Sequence, residues 1–142
     1  MTVYVESSAV LAWLLGEPPA ASVRRILAEA ERVVTSDLTL VECDRTIFRA
    51  VHLGSLTERR AEALRRVLRV AETHWSLVRL GREVVAKARE AFPGPPVRTL
   101  DALHLGSMLV IRDVVPELTV LTLDERVRGA GMALGFPVVP LR

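Results

Sequence analysis

The sequence predicts an α/β fold: a central, mostly parallel sheet of about five strands flanked by helices in three layers. Three observations lead there. Short apolar, β-branched runs stand at residues 2–5, 32–36, 75–80, 118–123 and 136–140, each of strand length. Longer stretches of helical character separate them, the alternation that buries a parallel sheet under helices. Half of the 142 residues are apolar, enough to build a substantial core at this size. No repeat, low-complexity tract or linker divides the chain, so residues 1–142 read as a single domain.

The first strand, TVYV, ends in Glu6, and Ser7 and Ser8 are placed to cap the helix that follows, AVLAWLL. Pro18 and Pro19 precede ASVRRILAEAE, as proline in a first helical turn does. After RVVTS, Ser36 or Asp37 suits the cap of the helix carrying LVECDRTIFRAV, and Gly54 ends it. Ser55 and Glu58 have capping-box spacing ahead of RRAEALRRVLRVAET, so two helices form a hairpin there. The stretch FPGPPVRT, with three prolines, cannot continue a helix. It delivers the chain to LDALHLGSMLVIR, a helix apolar on nearly every side and therefore buried.

Composition excludes several functions. The longest apolar stretch, residues 105–111, stops at Arg112, far short of the roughly 20 residues that span a bilayer. The first residues carry no basic, cleavable leader, so the expectation is a cytoplasmic protein with no membrane segment. Cys43 is the only cysteine, which rules out an intramolecular disulfide or a Cys-based zinc site; it reads as a small buried residue. Net charge is +2, with Lys87 the sole lysine among the basic residues. With two Trp, one Tyr and three Phe, the chain is poor in rings for stacking bases. A passive RNA-binding module is thus a weaker expectation than an enzyme that grips phosphates. The arginines of the helix at 58–73 could contact several RNA phosphates, but Glu58, Glu62 and Glu72 interrupt them, so an ion-paired, solvated face or an oligomer contact is the stronger expectation.

Four acids carry the chemistry. Ligands of open parallel sheets bind beyond the carboxyl ends of the strands. Glu6 directly follows the first strand and Asp124 follows LTVLTL, so both are expected on that edge. Asp101 lies in the first turn of the buried helix, where a carboxylate needs a partner, a hydrogen bond or a metal. Glu42 lies about one turn into the helix after RVVTS; a helical wheel sets it opposite Leu40, Asp44, Ile47, Phe48 and Val51, beside Arg45 and Arg49, which favours a solvated carboxylate, on a face that could equally line a wet groove. Ordinary explanations exist for the others too: Asp124 suits an N-cap, Asp101 suits the positive end of a helix, and His104 suits a packed, hydrogen-bonded ring that could touch Asp101. If three or four of the acids converge, their repulsion calls for a cation, and a hard divalent ion such as Mg²⁺ takes oxygen ligands. Phosphodiester hydrolysis is the chemistry that fits.

VYVESSAVLAWL, LTLVECDRTI, RTLDALHLGSML and LTLDERVRGAGMALGFPVV, in that order and spacing, resemble the four motifs of the PIN-domain ribonucleases, especially the VapC toxins of toxin–antitoxin pairs. The resemblance implies a PIN-like three-layer fold and an endoribonuclease that hydrolyses RNA with Mg²⁺, or Mn²⁺ in its place, leaving a 5′-phosphate and a 3′-hydroxyl. Its acids would be Glu6, Glu42, Asp101 and Asp124. Glu6 and Asp101 would hold the main ion, and Glu42 and Asp124 would complete the cluster. Ser8 would keep the first motif in shape, and Thr122 would assist Asp124 by hydrogen bonding. A small VapB-like antitoxin and a second copy of the chain are the implied partners. One position departs from the pattern, since the first motif usually carries Asp where this chain has Glu6. A second reading follows: a PIN-fold binding module, catalytically weakened by Glu6, that acts through its antitoxin or another partner. A receiver-like or haloacid-dehalogenase-like protein fits less well, because Lys87 falls inside a helix and the first strand leads into Glu-Ser-Ser rather than Asp-x-Asp.

Overall fold

A computed structural model describes residues 1–141; Arg142, the last residue of the expected domain, lies outside the described residues. The chain runs β1 (Thr2–Val5), α1 (Ser7–Leu15), α2 (Ala20–Glu29), β2 (Arg32–Ser36), α3 (Asp37–His52), α4 (Glu58–Glu72), β3 (Ser76–Val78), α5 (Arg82–Ala88), α6 (Thr99–Arg112), β4 (Thr119–Leu121), α7 (Glu125–Ala133) and β5 (Val138–Val139). The five strands form one sheet in the order β3-β2-β1-β4-β5. Every pairing is parallel, which makes the expected mostly parallel sheet wholly so.

Successive side chains of a strand point to opposite faces, and β1 and β4 sort their residues accordingly. Val3, Val5 and Leu121 enter a core with Val10, Val23, Ile47, Leu64 and Leu68 from α1–α4. Tyr4 and Val120 enter a second core with Leu105, Met108 and Val127 from α6 and α7. Cys43 is fully buried in the first core. Burial, with the charges of Glu42 and Glu6 next, pushes its thiol well above the usual range, so the sulfur is inert. Trp13 and Trp75 meet at the margin of that core, ring centroids 6.0 Å apart.

Several local expectations shift. The cap of α1 is neither serine but Glu6, whose side chain accepts the Ser8 amide. The cap of α4 is Thr57, accepting from the Arg60 amide at 3.1 Å; the Ser55 hydroxyl turns back to the Ala50 carbonyl instead. Ser36 caps α3 as expected. The buried stripe of α3 is Leu38, Thr39, Cys43 and Ile47. Phe48 lies outside it, under the guanidiniums of Arg45 and Arg65 at 5.6 and 4.7 Å. That rotation matters, because Glu42 borders the buried stripe instead of opposing it. Among the described residues no helix is long and apolar enough to cross a membrane.

Candidate active site

The strand order reverses at β1. The chain builds β2 and β3 on one side of it and β4 and β5 on the other, and the crevice at such a switch is where open α/β sheets bind ligands. Register aligns Val5 with Leu121, and the Glu6 amide donates to the Leu121 carbonyl at 3.0 Å. Glu6 is thereby set beside Thr122, at the mouth of the crevice.

Glu6 is only 5% exposed, and its carboxylate is satisfied by donors from both neighbouring loops. Its Oε1 accepts from Ser8 Oγ and Thr122 Oγ1, each at 2.5 Å. Its Oε2 accepts from the Ser8 amide at 3.1 Å. Each hydroxyl also accepts: Ser8 Oγ from the Leu123 amide at 2.9 Å, and Thr122 Oγ1 from the Asp124 amide at 3.1 Å. The buried Arg128 props the same turn through Nη2, which donates to the Thr122 carbonyl at 2.9 Å. Asp124 itself caps α7, with Oδ1 accepting from the amides of Arg126 and Val127 at 2.9 and 3.0 Å.

Glu42 is not a solvated carboxylate. Its Oε1 accepts from Ser7 Oγ at 2.6 Å and from His104 Nε2 at 2.5 Å. The wheel misplaced it because it assigned Phe48 to the buried side. Burial pushes the Glu42 carboxyl up, but the hydrogen bonds from His104 and Ser7 outweigh it and hold the group below its ordinary value. Asp124 is near enough to raise it slightly. His104 reaches Glu42 and not Asp101, and its other nitrogen, Nδ1, lies 2.8 Å from the Tyr4 hydroxyl. Burial, with the Glu6 charge next, keeps the Tyr4 phenol far above its usual pKa.

Asp101 occupies the third position of α6 and is buried. Its Oδ2 accepts from the Arg98 amide at 3.4 Å and pairs with Arg126 Nε at 3.5 Å. All four acids therefore stand along the carboxyl edge of the sheet. Hydrogen bonds tie Glu6, Ser8, Thr122 and Asp124 into one net; Ser7, next to Glu6 in the chain, bonds Glu42 and His104 separately, and Arg126 links the start of α7 to Asp101. Sequence reasoning gave Ser7 only a capping role, passed over Tyr4 and Arg126, and gave His104 the wrong neighbour. The signal for His104 was its place three residues after Asp101, on the same helical face.

The donor chemistry suits a hard divalent ion, since every candidate ligand is a carboxylate oxygen. Glu42 is bonded through Oε1, Asp124 through Oδ1 and Asp101 through Oδ2, so a cation would use the second oxygen of each. Among the described residues no three acids, histidines or cysteines are close enough to cage a metal. Mg²⁺ does not need such a cage; it keeps several waters and takes one or two carboxylates with the substrate phosphate. The residues fit an ion of that kind.

The family model of the PIN domain matches residues 3–131. Ribonuclease VapC46 of Mycobacterium tuberculosis (strain ATCC 25618 / H37Rv) is 29% identical over 137 residues, covering 96% of this chain and 95% of its own. Ribonuclease VapC35 of Mycobacterium tuberculosis (strain CDC 1551 / Oshkosh) is 36% identical over 112 residues, 76% of this chain and 72% of its own. Among solved structures, a toxin–antitoxin complex from Klebsiella pneumoniae contains a chain that superposes with a TM-score of 0.64 at 13% identity, covering 97% of this chain and 96% of that one. At that identity the likeness is one of fold.

Proposed function

We propose that this chain, which belongs to the PIN-domain family and within it to the VapC-type ribonucleases, is a divalent-metal-dependent endoribonuclease and the toxin of a toxin–antitoxin pair. The observation that carries this reading is the gathering of four carboxylates, from four separate segments, along the carboxyl edge of the sheet where its strand order reverses. Metal dependence is general among PIN-domain ribonucleases, and Mg²⁺, with Mn²⁺ as substitute, suits the all-oxygen donor set. Glu6 and Asp101 are the residues that would hold the ion, with Glu42 and Asp124 completing the acidic edge. A bound ion would neutralise charge on the phosphate and favour hydroxide over water.

The protein's own groups divide the remaining work. Glu42 is held in place by Ser7 and His104 on one oxygen, which suits it to orient and attract a cation. Asp124 is fixed by amides of its own helix, and Glu6 by two hydroxyls and an amide. Arg126, its side chain 49% exposed beside Asp101, brings a guanidinium to the acidic edge, where it can pair with a phosphate of the incoming RNA. A small antitoxin, as in the Klebsiella complex, and a second copy of the chain are the partners proposed.

The test is cleavage of RNA by chain purified free of antitoxin. Strand scission is expected with Mg²⁺ or Mn²⁺, none with EDTA, and Asp101→Asn should lower the rate by about 100-fold or more. A folded wild-type chain that cuts no RNA with either ion would overturn the reading. The second reading, a weakened binding module, is favoured by one observation: the Glu6 carboxylate is already satisfied by Ser8 and Thr122. Glu6→Asp separates the two. A large gain in cleavage supports the weakened module, whereas a loss shows a site built around Glu.

A further inference from the structure

Four elements meet behind Glu42. β1 brings Tyr4, the first turn of α1 brings Ser7, α3 carries Glu42, and α6 brings His104. The imidazole is 1% exposed and engaged at both nitrogens, Nδ1 with the Tyr4 hydroxyl at 2.8 Å and Nε2 with Glu42 Oε1 at 2.5 Å. A ring bonded at both ends has a fixed plane, and the carboxylate oxygen that it grips has a fixed direction.

Resting on the ribonuclease reading above, we propose that Tyr4 and His104 form a positioning relay that aims the Glu42 carboxylate at the site of the divalent ion. His104 thus helps set the affinity for an ion that it does not touch. The proton order follows from the donors. A carboxylate oxygen only accepts, so Nε2 donates to Oε1; Nδ1 is then placed to accept from the Tyr4 hydroxyl. Ser7 Oγ donates to the same oxygen at 2.6 Å. With both donors on Oε1, Oε2 is the oxygen offered to a cation. Partners behind a ligand that fix its orientation typically change metal affinity by about 10–100-fold when removed.

A packing role alone does not account for these contacts. α6 is otherwise lined here by Leu105 and Met108, and a leucine at 104 would fill apolar space without a buried polar atom to satisfy. The histidine instead joins a phenol to a carboxylate, each from a different element.

The experiment is calorimetric titration of the full chain, free of antitoxin, with Mn²⁺, with folding checked by circular dichroism. His104→Leu should weaken Mn²⁺ binding about tenfold or more. His104→Gln, whose amide nitrogen can stand in for Nε2, should recover most of that loss, and Tyr4→Phe should give a smaller loss. In a Glu42→Gln background, His104→Leu should cost nothing further, because the histidine acts through Glu42. The inference falls if folded His104→Leu binds Mn²⁺ as the wild type does, or if its effect persists undiminished without the Glu42 charge. Should His104→Leu not fold, wild-type affinity in both His104→Gln and Glu42→Gln would overturn the relay in its place. A wild-type chain with no Asp101-dependent Mn²⁺ uptake would overturn the ribonuclease reading and the relay together.

Discussion

The extra methylene of Glu6 decides where its carboxylate ends. An aspartate would stop about 1.5 Å short; from the tip of β1 the longer arm meets the Ser8 amide with one oxygen and the hydroxyls of Ser8 and Thr122 with the other. Those hydroxyls in turn accept the amides of Leu123 and Asp124, so Glu6 helps order the turn that presents another acid. Glu42 makes a second residue-scale case, with a consequence in pH. Its folded pKa is lowered from the ordinary 4.5 because the bonds from His104 and Ser7 outweigh burial. A depressed carboxyl stabilises the fold above the unfolded value, and that contribution is lost as pH falls through the lower folded value. Urea denaturation in EDTA should therefore show the wild type more stable than Glu42→Gln by a constant margin near neutrality, with the margin shrinking as pH drops below 4.5. A margin that is unchanged in acid would remove the inferred stabilisation.

At the scale of elements, the crossing of α5 and α6 depends on one glycine. A Cβ on Gly106 would stand 2.8 Å from the Val84 carbonyl oxygen and 3.2 Å from the Ala88 nitrogen, backbone atoms of α5 that cannot swing aside. Gly106→Ala should destabilise by about 1–2 kcal/mol net, overpacking outweighing the gain in helix propensity. Gly129→Ala, in α7 with open space around it, should be neutral or stabilising by up to about 1 kcal/mol. Thermal denaturation of the pair checks this, and equal shifts in both variants would remove α5 as the cause. The sequence announced α6 by its apolar circumference and its proline-rich entry, but not the close approach of α5, since nothing local distinguishes a glycine under a neighbouring backbone from one in open space. Caps were legible where one candidate stood alone, as at Asp124. They were misread where several competed: Thr57 displaced Ser55, and Glu6 took the position assigned to the serines. Strand centres were legible from β-branched runs, whereas their ends were not. Pairing stops at Val78, Leu121 and Val139 for want of a neighbour, a tertiary fact.

For the whole molecule, the alternation of strands and helices gave a parallel sheet but left its order open, because parallel strands joined by helices can be arranged in several ways. The order β3-β2-β1-β4-β5 is what brings the ends of β1 and β4 together and so unites Glu6 with Thr122 and Asp124. Each acid's place along the chain was readable, and the family resemblance already named the hydroxyls of Ser8 and Thr122; the Ser7 and His104 partners of Glu42 were not readable, since these residues meet only after folding. At the assembled edge Asp124 is near enough to Glu42 to disfavour its charge, while Arg126 is paired to Asp101; a divalent ion would relieve that repulsion. An ion that binds the folded chain alone stabilises it by mass action, about 1.4 kcal/mol at tenfold excess over its Kd. For a chain of this size that is a rise in Tm of several degrees. Mg²⁺ added to EDTA-treated chain at constant ionic strength should produce the rise, and Asp101→Asn should lose most of it, while an equal concentration of charge as NaCl should not reproduce it. If Asp101→Asn gains as much from Mg²⁺ as the wild type, the ion is stabilising the molecule from elsewhere, and the acidic edge at the β1–β4 switch is not its site.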